Sequence, residues 1–192
     1  MNSFICRNLV PKGEDGGFLV RPLEEITHII VHRIGKKLGP SVPDIVKSFA
    51  DTSEFAAGSY TGGKMPYTFI LDEEGGVWQT LEVGDVGWHA KRWSKPGVGI
   101  ACVGDFRKYE PTFQQSYSLS QLCTLLGYWL SDFQLVGHTE LPEASSDPEK
   151  KCPGHLLDMD ELRSKVAVRI EDMQDLNDHG REMVLRNYGI ML

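Results

Sequence analysis

Residues 27–34 read Thr-His-Ile-Ile-Val-His-Arg-Ile, a β-branched and apolar run with almost no polar alternation. A strand with one wet face alternates apolar and polar residues, whereas a strand covered on both faces does not, so this stretch predicts a central strand. A central strand needs neighbours. Residues 67–71 (Tyr-Thr-Phe-Ile-Leu) and 77–81 (Val-Trp-Gln-Thr-Leu) flank Asp72-Glu73-Glu74-Gly75-Gly76, the pattern of an antiparallel hairpin with a glycine-bearing connection. Residues 98–104 and 133–137 supply two further apolar runs, the first after a segment rich in Trp88, His89 and Trp93 that reads as an ordered loop.

Helical periods separate these strands. Ser41 is placed to cap a short helix with Pro43 in its first turn and Ile45, Val46 and Phe49 on one side, ending near Asp51. Leu119, Leu122, Cys123, Leu126, Leu130 and Phe133 recur at three- and four-residue intervals, which predicts a core-facing helix capped by Ser118. Asp158 with Glu161 forms a capping-box pattern ahead of Leu162, Val166, Ile170 and Met173. Strands arriving both as a hairpin and through helical connections predict an α/β or α+β domain, a central mixed β-sheet flanked by helices. The expected organisation is an N-terminal extension over 1–25, one domain over 26–174 and a tail over 175–192, whose apolar end packs on the domain or joins a partner.

The chain has 192 residues, 41% of them hydrophobic, enough for one substantial core. With 20 Lys and Arg against 27 Asp and Glu, a net charge of −7 gives no general attraction to nucleic acid or anionic membranes. No stretch approaches the roughly 18 consecutive apolar residues that span a bilayer, so membrane insertion is not expected. The opening residues turn charged and glycine-rich too early for an export signal. Synthesis in the cytoplasm, reduced thiols at Cys6, Cys102, Cys123 and Cys152, and a monomer are expected; any action outside the membrane would need pore-mediated release.

Three residues stand where segments change direction. His32 ends the apolar run of the central strand, His138 ends residues 133–137, and Cys152 opens the turn Cys152-Pro153-Gly154. Imidazole and thiolate suit zinc, and three protein ligands leave a fourth position for water, the feature that separates catalytic from structural zinc sites. Taken singly, His32 also reads as a core histidine and Cys152 as a small buried hydrophobe. The spacings match no compact zinc finger, and no Cys-x-x-Cys pair occurs. His28 shares the strand face of His32 but lies away from the strand end, and His155 would be the fourth donor of a purely structural site.

Six blocks in order, Ile30-Val31-His32, Tyr67-Thr68-Phe69-Ile70-Leu71-Asp72, Gly87-Trp88-His89-Ala90, Gly99-Ile100-Ala101-Cys102-Val103-Gly104, Gly137-His138 and Lys150-Lys151-Cys152-Pro153-Gly154, resemble zinc-dependent N-acetylmuramoyl-L-alanine amidases. The resemblance runs from residue 26 to about 166. It points to the branch holding phage amidase-type lysozymes and animal peptidoglycan recognition proteins. It implies Zn2+ bound by His32, His138 and Cys152, catalytic roles for Tyr67 and Lys150 (with Lys151 as the neighbouring alternative), substrate contacts from Trp88 and His89, and peptidoglycan or a muropeptide as partner. The implied reaction is hydrolysis of the amide joining N-acetylmuramic acid to L-alanine.

Three positions depart from the family pattern. Arg33 follows the first ligand where a second histidine is common, Thr68 replaces a frequent histidine, and Ala101 stands where many members carry glutamate. Relatives that act on cytoplasmic anhydromuropeptides use that glutamate and usually an aspartate as third ligand, so Cys152 with Tyr67 and Lys150 resembles the phage-like set. A binding module without catalysis and a cytoplasmic recycling amidase are the alternatives.

Overall fold

A computed structural model describes residues 6–9, 19–35, 41–51, 65–130, 132–143, 151–173 and 178–192. Its centre is a six-stranded mixed sheet of β1 (Arg7–Asn8), β2 (His28–Ile34), β3 (Phe69–Leu71), β4 (Val77–Gln79), β5 (Gly97–Val103) and β6 (Gln134–Gly137), in the order β1-β4-β3-β5-β2-β6. Strand β2 pairs in parallel with β5 on one side and β6 on the other, so it is an interior strand, as its unalternating sequence predicts. The hairpin also forms: β3 and β4 pair antiparallel, while β3 is parallel to β5 and β1 to β4.

Four helices are described: α1 (Val42–Asp51), α2 (Phe113–Leu130), α3 (Met159–Glu171) and α4 (Asp178–Asn187). Ser41 does cap α1, its hydroxyl accepting from Asp44 N at 3.4 Å while its main-chain N–H donates to the Asp44 carboxylate at 3.3 Å. Asp158 caps α3 by accepting from Asp160 N and Glu161 N, each at 2.9 Å. Helix α2 starts at Phe113, five residues before Ser118, the residue expected to cap it. The cap is Thr112, whose hydroxyl accepts from Gln115 N at 3.0 Å. Gln115 breaks the apolar pattern yet is buried, because its amide donates to the carbonyls of Val103 at 2.9 Å and Asp72 at 3.2 Å. None of the described helices is long and apolar enough to cross a membrane.

Alternation along the strands divides the core between two faces. Ile29 and Val31 of β2, Val98, Ile100 and Cys102 of β5, and Phe69 and Leu71 of β3 pack with α2, α3 and α4. On the opposite face Ile34, Ile70, Ala101 and Val103 pack with Val42 and Ile45 of α1. Both flanks of the chain join this core. Leu185 of α4 and Ile190 are buried within it, and the Gln79 side-chain amide pairs with Met191 as another strand would, donating to its carbonyl at 2.6 Å and accepting from its N–H at 2.8 Å. The apolar tail therefore packs on the domain.

Candidate metal centre

His32 lies on the face of β2 that also carries Ile30 and Ile34, near the strand's C-terminal end and 2% exposed. Its neighbour across the ladder is Ala101, wholly buried against the α1 face, so that position brings no carboxylate to the site. Parallel pairing of β6 with β2 ends at Val31 opposite Gly137, and His138 starts a 3-10 turn directly beyond. The two imidazole rings stand 4.5 Å apart between centroids. Cys152 comes from the loop above, with its sulfur 3.9 Å from His32 Nδ1.

One ligand atom from each of His32, His138 and Cys152 lies within 4.8 Å of the others. Zinc bonds of about 2.0–2.3 Å place tetrahedral donors roughly 3.3–3.8 Å apart, so small side-chain adjustments close this set around one ion. Among the described residues no fourth His, Cys, Asp or Glu joins the group, and His155 stays outside it. Two imidazoles and a thiolate suit zinc by donor type and by number for an open site.

Specific side chains hold the loop in place. Thr139, next to His138, donates from both its hydroxyl (2.9 Å) and its main-chain N–H (3.0 Å) to the Cys152 carbonyl, and its hydroxyl accepts from Cys152 N at 3.3 Å. Arg33 reaches the same loop from β2, its Nε donating to the Lys151 carbonyl at 3.3 Å while Nη1 pairs with Asp105 at 3.2 Å. Asp105 also takes a two-pronged contact from Arg107, both bonds at 2.8 Å. Gly154 has φ +123 and lies against the Phe106 main chain, where a Cβ would come within 2.5 Å of the carbonyl carbon. Below the His138 turn, Glu140 accepts from Gly137 N at 2.7 Å and pairs with Arg163.

Burial shapes the protonation states. It pushes His32 well below the usual imidazole value, with the neighbouring His89 and His138 adding to the effect. His89 falls to about 3, again chiefly through burial. Neutral imidazoles are the form that binds a metal. Burial raises the Cys152 thiol, opposed by the Arg33 main-chain N–H and guanidinium. Burial also raises the Tyr67 hydroxyl, and the Cys152 sulfur raises it further, so the phenol stays protonated.

Of the other residues singled out in sequence, Tyr67 lies at the site, its ring 5.1 Å from that of His32. His89 is nearer still: its Nδ1 is 2.9 Å from His32 Nε2, and its Nε2 is 3.3 Å from the Gly97 carbonyl. Trp88 lines a pocket of about 230 Å³ with Leu19, Val86 and Lys91. Lys150 falls outside the described residues; Lys151 is exposed. Sequence reading missed Thr139 and Asp105 and took Arg33 only as a departure. Their proximity to a ligand, in sequence for Thr139 and Arg33 and at the end of a neighbouring strand for Asp105, was the available signal.

A family model described as N-acetylmuramoyl-L-alanine amidase matches residues 22–155. The chain belongs to that family. Among curated relatives of this amidase-family chain, peptidoglycan-recognition protein LB of Drosophila melanogaster is 26% identical over 132 residues, 67% of this chain and 54% of that protein. The chain spans a third to just over half the length of the first curated relatives it matches. Solved structures share the fold, two of them as follows. The endolysin N-acetylmuramoyl-L-alanine amidase LysCS from Clostridium intestinale URNW gives a TM-score of 0.64 at 19% identity, over 86% of this chain and 99% of that one. A Drosophila PGRP-LB variant in complex with tracheal cytotoxin gives 0.58 at 20% identity, over 83% and 93%. The single-domain mixed sheet with flanking helices is thus the architecture of endolysin amidases and peptidoglycan recognition proteins.

Proposed function

We propose that this chain hydrolyses the amide between N-acetylmuramic acid and L-alanine in peptidoglycan, with Zn2+ held by His32, His138 and Cys152. The observation that carries this reading is the convergence of three ligand atoms, and not four, within 4.8 Å among the described residues. A zinc ion held there acts as a Lewis acid and activates water near neutral pH.

The chain's own residues supply the rest. The protonated Tyr67 hydroxyl, kept neutral by its burial, donates a hydrogen bond to the amide carbonyl oxygen as that oxygen gains charge. Lys150, two residues before Cys152, adds a charged donor to the same oxygen. Water's hydroxyl ends on the lactyl carbonyl carbon, the C–N bond breaks, and the proton passes to the departing L-alanine nitrogen. Trp88, in the pocket it lines with Leu19, Val86 and Lys91, offers an apolar face to sugar or peptide. Cys152 as third donor favours action on the wall, in the manner of an endolysin, over recycling of soluble muropeptides.

Purified cell wall incubated with the zinc-loaded protein tests the reading by the appearance of new L-alanine amino termini. Release is expected with zinc and lost on chelation. A protein that binds wall without releasing termini is a recognition module, the role named in its curated relatives. Faster cleavage of soluble anhydromuropeptide than of intact wall would move the chain to recycling.

A further inference from the structure

We propose that His89 is a positioning residue: by accepting a hydrogen bond at Nδ1 it locks His32 into the Nε2–H tautomer, so that His32 offers Nδ1 to the ion. The inference rests on the metal site proposed above and adds a part that site needs. A neutral imidazole has one N–H and one lone pair, and a metal ligand must turn the lone pair inward.

The direction of the chain follows from its far end. The Gly97 carbonyl only accepts, so His89 Nε2, 3.3 Å away, carries the proton. Neutral His89 then has its lone pair at Nδ1. His32 Nε2, 2.9 Å from that atom, must be the donor. The remaining lone pair of His32 is at Nδ1, the atom 3.9 Å from the Cys152 sulfur. Both nitrogens of His89 are therefore spent behind the ligand. Metal-bound histidines commonly donate their second N–H to a carboxylate, a carbonyl or water, whereas here a second imidazole passes the polarity on to the main chain.

The sheet is built to admit the His89 ring. Gly99 of β5, paired with Ile30 two residues before His32, lies directly under it, and a Cβ there would come within 2.9 Å of two ring carbons. The segment carrying the ring is tied down by Ser94, whose hydroxyl accepts from Ala90 N at 2.9 Å and His89 N at 3.2 Å.

Three proteins test this: wild type, His89→Phe, which keeps a ring but removes the acceptor, and His89→Asn, whose Oδ1 replaces Nδ1. Long-range proton–nitrogen NMR of the metal-free wild type is expected to show His32 protonated at Nε2. In His89→Phe the tautomers are expected to mix, and the zinc dissociation constant, measured against a chromophoric chelator, to rise about 10- to 100-fold. His89→Asn is expected to recover most of that loss. Should His89→Phe not fold, Gly99→Ala, which crowds the ring and alters no polar group, is expected to weaken zinc binding in the same direction. His32 protonated at Nδ1 in wild type, or unchanged tautomer and zinc affinity in His89→Phe, overturns the proposal. A wild type with the Nε2–H tautomer that takes up no zinc upholds the tautomer lock and overturns the amidase reading instead.

Discussion

His32 is carried by a seven-residue strand with hydrogen-bonded neighbours on both sides, whereas Cys152 sits on a turn held by the Thr139 side chain, the Arg33 guanidinium and the Phe106 main chain. The first ligand is positioned by a backbone ladder that many apolar sequences would reproduce. The second depends on particular polar side chains, each replaceable at modest cost to the fold. One half of the candidate metal centre should therefore fail together with the protein, and the other half should fail alone.

The largest effect separates the two ligands. Both Cys152→Ser and His32→Ala are expected to bring hydrolysis down to the chelated background. Thermal melts of the metal-free proteins should then diverge: Cys152→Ser stays near wild type, while His32→Ala loses about 3 kcal/mol through the cavity and the acceptor left unpaired on His89. Equal melting losses would erase the contrast.

Arg21 extends the rigid half. It is 2% exposed and donates to the carbonyls of Val83, Ser94, Lys95 and Gly97 at 2.6–2.9 Å, binding the strand before Gly99 to the segment that follows His89. Burial lowers its guanidinium to about 10, still charged at neutral pH. Arg21→Met is expected to cost about 2–3 kcal/mol in denaturant unfolding, since it strands several carbonyls. On the loop side, Thr139→Val should cost only about 1 kcal/mol, yet weaken zinc roughly tenfold in chelator competition.

The smallest effect is acid-dependent. Arg107, bonding side chain to side chain, and then Arg33 hold the Asp105 carboxyl well below the usual aspartate range. A carboxyl depressed in the folded state contributes fully above its unfolded value near 4, and the contribution is lost as pH falls through the folded value. Asp105→Asn should therefore melt below wild type at pH 6, with the difference closing below about pH 4. A difference independent of pH would remove Asp105 from the clamp.

Local pattern made much of this molecule legible. The unalternating β2 run, the β3–β4 hairpin and the caps at Ser41 and Asp158 all follow from signals a few residues long. What stayed hidden depends on distant partners. Gln115 looks like a surface residue until the carbonyls of Asp72 and Val103 bury it, and so the first turns of α2 went unread. Gln79 completes a strand edge with Met191, more than a hundred residues away. At the candidate site, ligand types at strand and loop ends could be read, but a bond from Thr139 or Arg33 to a carbonyl leaves no spacing in sequence. The same holds for His89, read beside the substrate and found with both nitrogens engaged behind His32.

An anomalous difference map collected at the zinc edge from crystals of the zinc-loaded protein tests the open centre most directly. The expected result is one peak bonded to His32 Nδ1, to His138 and to Cys152 Sγ at about 2.0–2.3 Å, with its fourth side facing solvent. A peak closed by a fourth protein ligand, or no peak at these three residues, would contradict it.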